Sequence, residues 1–517
     1  MEAIETTENN RVFSKAELYE QSFPWTIIAG QVFAIGSFIP QHPGGFLIRR
    51  AIGEDATELF LSHHCPTGPA AKTLERYQIG TLANWDHEVT NVEELWRRRP
   101  LQRHFWRRLK ESKISLTSNS FEAEFLACSM LMLFFLWCYY CYVRGWWRLN
   151  LCCSWFWLRH LDAGLHAAMH GDFRKSKRLQ GGLFWVYSLL SHRAMEYYWG
   201  SSGLNGCGLS KHWWHHVFPN DPGRDPDWST MTGIAWVRRH WSAEWHPCHR
   251  WQSLYWLPVA MFVEPLLELL QVTCSILEAV ASLMEPPMKT PYCARVARFL
   301  GLSCEVLLNP GFQLLSFFAQ PFWQAFGVLL LVRAISRLLL YPFSEVQHYM
   351  PEHILAADQE VFKDMPEWLV GQLTTTANLE FRHPLTWLVD FLMFHGATFG
   401  WRALHGMDLM DRNAGDSHQI EHHLWPAMSF VQYRNAAEVV RATCRTLQLP
   451  YYSISYVDGY RKICQQVREH QEPSPRPVLS AKRTRTPQEA SDMEGSEDSE
   501  LKRRTRRKKD NDNSSSS

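Results

Sequence analysis

Short apolar segments separated by turn residues occupy the first part of the chain. Residues 25–28 (WTII) and 31–35 (QVFAI) are strand-length runs, and Gly30 lies between them. Runs of this length with a glycine at the break predict two strands joined by a turn. Short helical patterns follow over residues 45–81. We therefore expect residues 1–85 to form a small α+β domain.

A charged connector follows at residues 86–120. From Arg97 to Lys110 it contains seven lysine and arginine residues and no acidic residue. One interpretation is a solvated, basic linker. The other is a cytoplasmic anchor just before a membrane span, because positive charges concentrate at the cytoplasmic ends of spans. The second is favoured, since a span is predicted immediately downstream.

Long runs without charge are the main feature of residues 121–470. Residues 125–143 form a 19-residue stretch without a charged side chain, which is long enough to cross a bilayer as a helix. Residues 179–191 are uncharged but too short to span, and they fit an interfacial or re-entrant helix. The pattern predicts an all-α domain with about four membrane spans. Besides residues 125–143, the candidate spans are residues 145–158, 251–284 and 306–332.

The composition after residue 470 changes to serine, proline, arginine, lysine and acidic residues. Such a segment has too little apolar surface to form a core. We predict a disordered tail over residues 471–517. Its basic cluster at residues 502–509 is either a solvated run of charge or a contact for anionic lipid.

Composition and charge narrow the function classes. The 517 residues include 53 lysine and arginine against 52 aspartate and glutamate, a net charge of +1 that argues against a dedicated nucleic-acid-binding protein. The 24 tryptophans fit a protein that meets the membrane interface. The 13 cysteines lack the spacing of a zinc module or a disulfide framework, which indicates a reducing, cytosol-facing environment. The polar, acidic N-terminus does not fit a secretory signal peptide.

A histidine pair in the first domain is suited to bind haem. His42 begins the string His-Pro-Gly-Gly, whose Pro43, Gly44 and Gly45 predict a tight turn that brings the backbone close to a porphyrin. His64 follows 22 residues later. Two imidazoles that face one cavity can ligate a haem iron from both sides. This leaves no position for oxygen and suits the iron to electron transfer.

These residues resemble cytochrome b5 over residues 12–82. His-Pro-Gly-Gly is the signature of that family, and the run Asp-Ala-Thr-x-x-Phe-x-x-x-His that begins at Asp55 places its second ligand at His64. The resemblance implies haem b held between His42 and His64. His63 remains the alternative second ligand.

Three clusters of polar residues rich in histidine lie close to the predicted membrane segments. Their spacings of three and four residues place side chains on one face of a helix. Boxes one, two and three are His166-Ala167-Ala168-Met169-His170, His212-Trp213-Trp214-His215-His216 and Gln419-Ile420-Glu421-His422-His423. Imidazole binds iron, zinc, copper and nickel alike. A haem electron carrier in the same chain needs an electron acceptor, and zinc has no redox chemistry, which favours iron.

The three boxes resemble those of the membrane fatty-acid desaturases that carry an N-terminal cytochrome b5 domain, the front-end desaturases. The resemblance extends over about residues 12–450. In that family box one is HxxxH, box two is HxxHH and box three begins with glutamine, as it does at Gln419. A further histidine of the family corresponds to His348. The resemblance implies a catalytic di-iron site with Gln419 beside it and with the ligands His166, His170, His212, His215, His216, His348, His422 and His423.

The resemblance also implies a reaction. A front-end desaturase is an oxidoreductase that uses O2 and two electrons to place a cis double bond between the carboxyl end and an existing double bond of a polyunsaturated acyl chain. The substrate would be an acyl-lipid or an acyl-CoA. Electrons would come from NADH through a separate cytochrome b5 reductase and then through the fused haem domain. The protein would be integral to the endoplasmic reticulum membrane, with its haem domain, histidine boxes and C-terminus facing the cytosol.

The sequence departs from the family pattern in two places, and rival functions share its architecture. Ala167 stands where the family has an aspartate, and residues 396–418 form an insertion before box three. A second frame for box one pairs His160 with His166, but a spacing of six does not fit one helical face. A sphingolipid long-chain-base desaturase and a fatty-acid hydroxylase are alternative functions. A membrane-anchored haem electron carrier without catalytic activity is the alternative from another class.

Overall fold

The computed structural model places a defined part of the chain. The residues that the structure describes are 11–42, 51–64, 68–85, 91–115, 211–221, 237–240, 243–263, 321–353, 368–380, 418–428 and 432–473, with a few single positions that include His170 and Asp225. Predictions for the other residues stay predictions. These include most of the candidate spans, nearly all of the insertion at 396–418 and the predicted tail beyond residue 473.

The N-terminal part is an α+β domain, as the pattern of short apolar runs predicts. Its four strands are β1 (Val12–Phe13), β2 (Trp25–Ile28), β3 (Gln31–Ala34) and β4 (Gln78–Leu82). They form one sheet in the order β1-β4-β3-β2, in which only β1 and β4 are parallel. Its helices are α1 (Lys15–Tyr19), α2 (Thr57–His63) and α3 (Pro69–Leu74), with short 3-10 turns at Ile39–Gln41 and Glu75–Tyr77.

The predicted hairpin is confirmed between β2 and β3. Its two-residue turn consists of Ala29 and Gly30, both with positive φ (50° and 73°). This is the turn type whose twist matches the flanking strands, and it explains a glycine at the break. Gly30 also lies against the ring of Trp85, so that a side chain there would collide with the indole.

The charged connector contains two helices, α4 (Val92–Arg97) and α5 (Pro100–Glu111). Val92 and Trp96 are buried in a core that α2 and β3 also line. The interpretation of this stretch as a solvated linker is therefore wrong for residues 91–111, because their apolar side chains are buried. The alternative interpretation, an anchor before a span, stays a prediction.

The second half of the described chain is mostly helical. Its helices are α6 (Lys211–Val217), α7 (Gln252–Pro258), α8 (Phe322–His348), α9 (Trp368–Thr375), α10 (Gln419–Leu424), α11 (Tyr433–Leu447) and α12 (Tyr456–Glu469). One core joins α5, α9, α10 and α11, and another joins α7, α8 and α12. A parallel pair, β5 (Asn378–Glu380) with β6 (Ser453–Ser455), links the chain after α9 to the C-terminal helices.

The long helix α8 begins directly after Pro321, one of the prolines in the apolar run at residues 306–332. Within the described residues, no helix combines the length and the apolar character needed to cross a membrane. The candidate segments 145–158 and 179–191 lie wholly outside those residues, and 125–143 lies almost wholly outside them. The four predicted spans therefore stay predictions.

A close approach between α12 and α8 leads to a stability prediction. A Cβ on Gly459 would collide with the side chain of the buried Val346, two residues before His348. Overpacking of this kind costs about 1–3 kcal/mol. Gly459→Ala should therefore lower the unfolding temperature. Tryptophan fluorescence of the purified protein in detergent measures this temperature. Gly327→Ala is the matched control because a Cβ there meets no atom within 4 Å, and equal unfolding temperatures for the two variants would contradict the prediction.

Candidate metal centre and haem site

The structure describes most, but not all, of the predicted site residues. His166, Pro43, Gly44 and Gly45 lie outside the described residues, and His212 is described only as a position in α6. The remaining side chains are placed: His42, His64, His170, His215, His216, His348, Gln419, His422 and His423.

Six of these histidines form two compact groups. We call His170, His216 and His422 group A, and His215, His348 and His423 group B. Within each group the three side chains offer nitrogen atoms that all lie within 4.8 Å of one another, and all six residues are buried. Three imidazole nitrogens that converge on one buried point can bind a transition-metal ion.

The two groups adjoin each other because each double histidine divides between them. His215 and His216 are neighbours on α6, yet the first belongs to group B and the second to group A. His422 and His423 on α10 divide in the same way. Successive side chains on a helix point about 100° apart, so one helix can serve two sites side by side. The rings of His216 and His423 stack at 4.1 Å where the groups meet.

Polar partners orient several of these rings. The Nδ1 atom of His215 lies 3.0 Å from a carboxylate oxygen of Asp225, and Nδ1 of His423 lies 3.2 Å from Oε1 of Gln372. The Nδ1 atom of His422 lies 2.8 Å from the hydroxyl of Tyr433. An imidazole that donates from Nδ1 presents Nε2 as its lone-pair nitrogen, which is the usual arrangement around a metal-ligating histidine. The residues present therefore fit a pair of metal ions.

The protonation state of group B also fits metal binding. Burial, with a smaller contribution from His215, holds the pKa of His348 well below its usual range. A metal ligand must be a neutral imidazole, so the environment favours the binding form. Gln419 lies at the same group, with its amide nitrogen 2.9 Å from Nε2 of His348.

A buried carboxyl group stabilises α10 between the two groups. Glu421 is fully buried and accepts hydrogen bonds from the Asn378 amide (2.8 Å) and the Tyr451 hydroxyl (3.1 Å). Asn378 also accepts a bond from the backbone N–H of Ile420 at 2.8 Å. Burial raises the pKa of Glu421 to about 7. These bonds set the rotation of α10 and hence the direction of its two histidines.

Sequence reasoning assigned no role to the partners of the histidines. Asp225 lies in the Asp-Pro-Asp run after box two, and Gln372 and Asn378 begin and end a polar run that reaches the first residue of β5. Both runs add to the resemblance to the front-end desaturases, but nothing in the sequence tells which side chain each would contact. Tyr433 follows box three by ten residues and has no pattern around it that would have signalled its contact.

We expect the hydrogen bond of Tyr433 to support metal affinity. Tyr433→Phe leaves the ring in place but removes the oxygen that orients His422. Loss of such a partner typically weakens metal binding about 10–100-fold. Metal titration against a competing chelator measures the change. Tyr460→Phe, in the core that joins α7, α8 and α12, is the matched control, and equal metal affinity in the two variants would contradict the prediction.

The haem ligands predicted from the motif lie opposite each other. The ring centroids of His42 and His64 are 6.1 Å apart, which leaves room for one ion between two imidazoles at about 2 Å from each nitrogen. Nδ1 of His64 lies 3.2 Å from the carbonyl oxygen of Phe60, whose ring stacks on the imidazole. Nδ1 of His63 makes the equivalent contact, 3.0 Å from the carbonyl oxygen of Leu59. It is the ring of His64 that faces His42, and this favours His64 as the second ligand.

The haem side and the metal side of the molecule are in contact. Helix α2, which ends next to His64, touches α6, which carries box two. An electron carrier and its acceptor must lie near each other for transfer. The fold therefore brings a haem-ligand helix and a helix of the six-histidine centre side by side.

Comparisons with known proteins give a domain-family match and several relatives. Residues 13–83 match the family described as "Cytochrome b5-like Heme/Steroid binding domain". The chain is 24% identical to the "Acyl-lipid (8-3)-desaturase" of Physcomitrium patens over 462 residues, 83% of this chain and 84% of the relative. It is 23% identical to the "Delta(8)-fatty-acid desaturase 2" of Arabidopsis thaliana over 472 residues, 84% of this chain and 86% of the relative.

A shorter match is with the "Acyl-lipid (8-3)-desaturase B" of Dictyostelium discoideum, 23% identical over 246 residues, which are 45% of this chain and 48% of the relative. No solved structure matches the chain. The N-terminal match supports haem binding by the first domain. The protein is thus similar, over most of its length, to proteins named as fatty-acid or acyl-lipid desaturases, and its residues 13–83 are a cytochrome b5-like domain.

Proposed function

We propose that this protein is a front-end desaturase. It introduces a cis double bond between the carboxyl end and an existing double bond of a long-chain polyunsaturated acyl group, at the expense of O2 and two electrons. One observation above all supports this function. Six buried histidines from distant parts of the chain converge in two adjoining groups, next to a helix that ends at a haem ligand. The relatives named as desaturases over more than 80% of the chain point the same way.

The histidines of groups A and B would hold two non-haem iron ions. Bound iron supplies the oxygen and redox chemistry that no amino-acid side chain can perform. The chain's own contribution is to place the ligands before the metal arrives. Asp225, Gln372 and Tyr433 orient three of the rings, and burial keeps the imidazole of His348 neutral. His166 and His212 are proposed as additional ligands on the strength of their boxes.

The electron source and the location are part of the same proposal. The haem between His42 and His64 would receive electrons from an NADH-dependent cytochrome b5 reductase and deliver them to the metal centre. The uncharged runs, the 24 tryptophans and the basic segment before the first run support an integral membrane protein with these sites on the cytosolic side. The endoplasmic reticulum is the compartment in which such a reductase and acyl substrates meet.

Feeding experiments test the proposed function. Yeast that expresses the full chain is supplied with a series of polyunsaturated acids, and double-bond positions are read by mass spectrometry. We expect a new cis double bond on the carboxyl side of an existing one, absent from cells with an empty vector. A hydroxylated acid would instead identify a hydroxylase, and a double bond confined to the sphingoid base would identify a sphingolipid desaturase. Unchanged lipids in cells that contain the haem-loaded protein would favour a non-catalytic electron carrier.

A further inference from the structure

Helix α5 contacts the haem-ligand helix through a buried ion pair. Arg99 lies immediately before α5 and is only 6% exposed. Its guanidinium forms a two-pronged bond with the carboxylate of Glu58 in the first turn of α2, with Nη1 and Oε2 2.6 Å apart and Nη2 bonded to Oε1. The neighbouring Arg97 is exposed and pairs only along its own helix with Glu93. The run of basic residues therefore contains one arginine with a distinct structural role.

A second bond connects the same two helices nearer to the haem ligand. Gln102, only 1% exposed, donates a hydrogen bond from its side-chain amide to the carbonyl oxygen of Leu61 at 3.2 Å. Leu61 precedes His64 by three residues. Its carbonyl belongs to the last turn of α2, where backbone oxygens have no partner within the helix. Arg99 and Gln102 thus secure α2 near both of its ends.

The opposite contacts of α5 belong to the metal side of the molecule. Leu101, Phe105 and Leu109 recur every four residues and are buried in the core that α9, α10 and α11 share. Helix α10 carries His422 and His423. Helix α5 therefore shares a hydrophobic core with α10, which carries two of the double-histidine ligands, and is bonded to α2, which ends next to a proposed haem ligand.

We propose that Arg99 and Gln102 form an interdomain clamp that holds α2, and with it His64, in one orientation against the six-histidine centre. This inference rests on the proposed function. A haem held by His42 and His64 would pass electrons one at a time to iron held by the six histidines, and an NADH-dependent flavoprotein reductase would reduce the haem again. The clamp distinguishes this protein from one whose haem domain swings freely on a tether. Arg99 and Gln102 are positioning residues, since neither contacts the ligands themselves.

The clamp has a physical basis in burial and distance. A guanidinium that stays buried after losing its carboxylate is strongly unfavourable, so α2 cannot shift away from Arg99 while that side chain remains packed in place. Electron transfer slows as the distance between donor and acceptor grows, so a displacement of α2 should slow electron delivery to the metal centre. Weakening the clamp should therefore slow electron delivery without altering the haem pocket.

The test uses the full-length, haem-loaded protein and two readouts. In the first, the haem is reduced in advance, acyl substrate and O2 are added, and haem re-oxidation is followed by stopped-flow absorbance. In the second, amide hydrogen exchange is measured in peptides that cover residues 57–63. The variants are Arg99→Ala, Arg99→Lys and Gln102→Leu, and Arg97→Ala is the matched control that also removes one positive charge.

We expect Arg99→Ala to slow re-oxidation several-fold, with faster exchange in residues 57–63 and an unchanged haem spectrum. Arg99→Lys should be intermediate, because lysine keeps the charge but not the two-pronged geometry. Gln102→Leu should show a smaller effect in the same direction. This variant still tests the clamp if Arg99→Ala does not fold. Arg97→Ala should match the unmodified protein in both readouts.

Wild-type rates and exchange in Arg99→Ala and Gln102→Leu would overturn the clamp. The proposed function fails separately, through absence of a desaturated product from the unmodified protein. In that case the exchange readout alone still decides whether Arg99 and Gln102 hold α2.

Discussion

Replacing His215 with alanine should abolish desaturation and leave the haem absorbance unchanged. His215 contributes a nitrogen to group B and is held by Asp225. Loss of a residue that only supports a metal ligand costs up to about 100-fold. Alanine removes the ligand itself, so activity should fall by at least about 100-fold. The proposed haem ligands, His42 and His64, lie in the N-terminal domain, so the haem should not respond.

Product analysis in yeast and the haem spectrum of the purified variant measure the two halves of this prediction. The matched control is His246→Ala, which removes an exposed histidine that belongs to neither group. We expect its product yield to equal that of the unmodified protein. Retained desaturation by His215→Ala would remove box two from the site, whereas loss of haem together with product would indicate general misfolding.

His42→Ala and His64→Ala should each remove the haem absorbance and the desaturated product together. Each variant leaves one of the two opposed imidazoles without its counterpart across the 6.1 Å gap. The non-haem iron content should be retained, because groups A and B lie in the other part of the molecule. Activity should therefore be lost because electrons no longer reach the metal centre, although the metal centre itself is retained.

His63→Ala is the sharpest control for this second prediction. His63 is adjacent in sequence and was a candidate ligand, but it is the ring of His64 that lies 6.1 Å from that of His42. We expect the variant to keep its haem spectrum. Loss of haem in His63→Ala but not in His64→Ala would reverse the assignment, and undiminished turnover by His42→Ala would show that the fused domain is not the electron donor.

Much of the haem domain and part of the metal centre could be predicted from the sequence. Both depend on short-range patterns. The hairpin with Gly30 follows from strand-length runs around a turn residue, and His64 follows from a motif within one helix. Boxes two and three were recognised because their spacings of three and four residues place side chains on one face of a helix.

The rest depends on contacts between residues far apart in the chain. The contacts of His422 with Tyr433 and of His423 with Gln372 join residues of different helices. The sequence around each residue is compatible with a helix whether or not the contact forms, so no local pattern reveals it. The division of each double histidine between two groups likewise follows only from how the helices pack. No periodicity in the sequence distinguishes the buried Arg99 from its exposed neighbours. The connector was therefore interpreted from its positive charge, and its buried face was not predicted.

The central claim is that imidazoles from separate segments hold two iron ions beside a haem, and the iron-to-haem ratio of the purified full-length protein tests it most directly. Total iron is measured by elemental analysis and haem by its absorbance in the same sample. The account predicts two non-haem iron ions for every haem, one for each histidine group, and their loss in His215→Ala and His422→Ala. Iron equal to haem and no more, in protein that retains its fold, would contradict it.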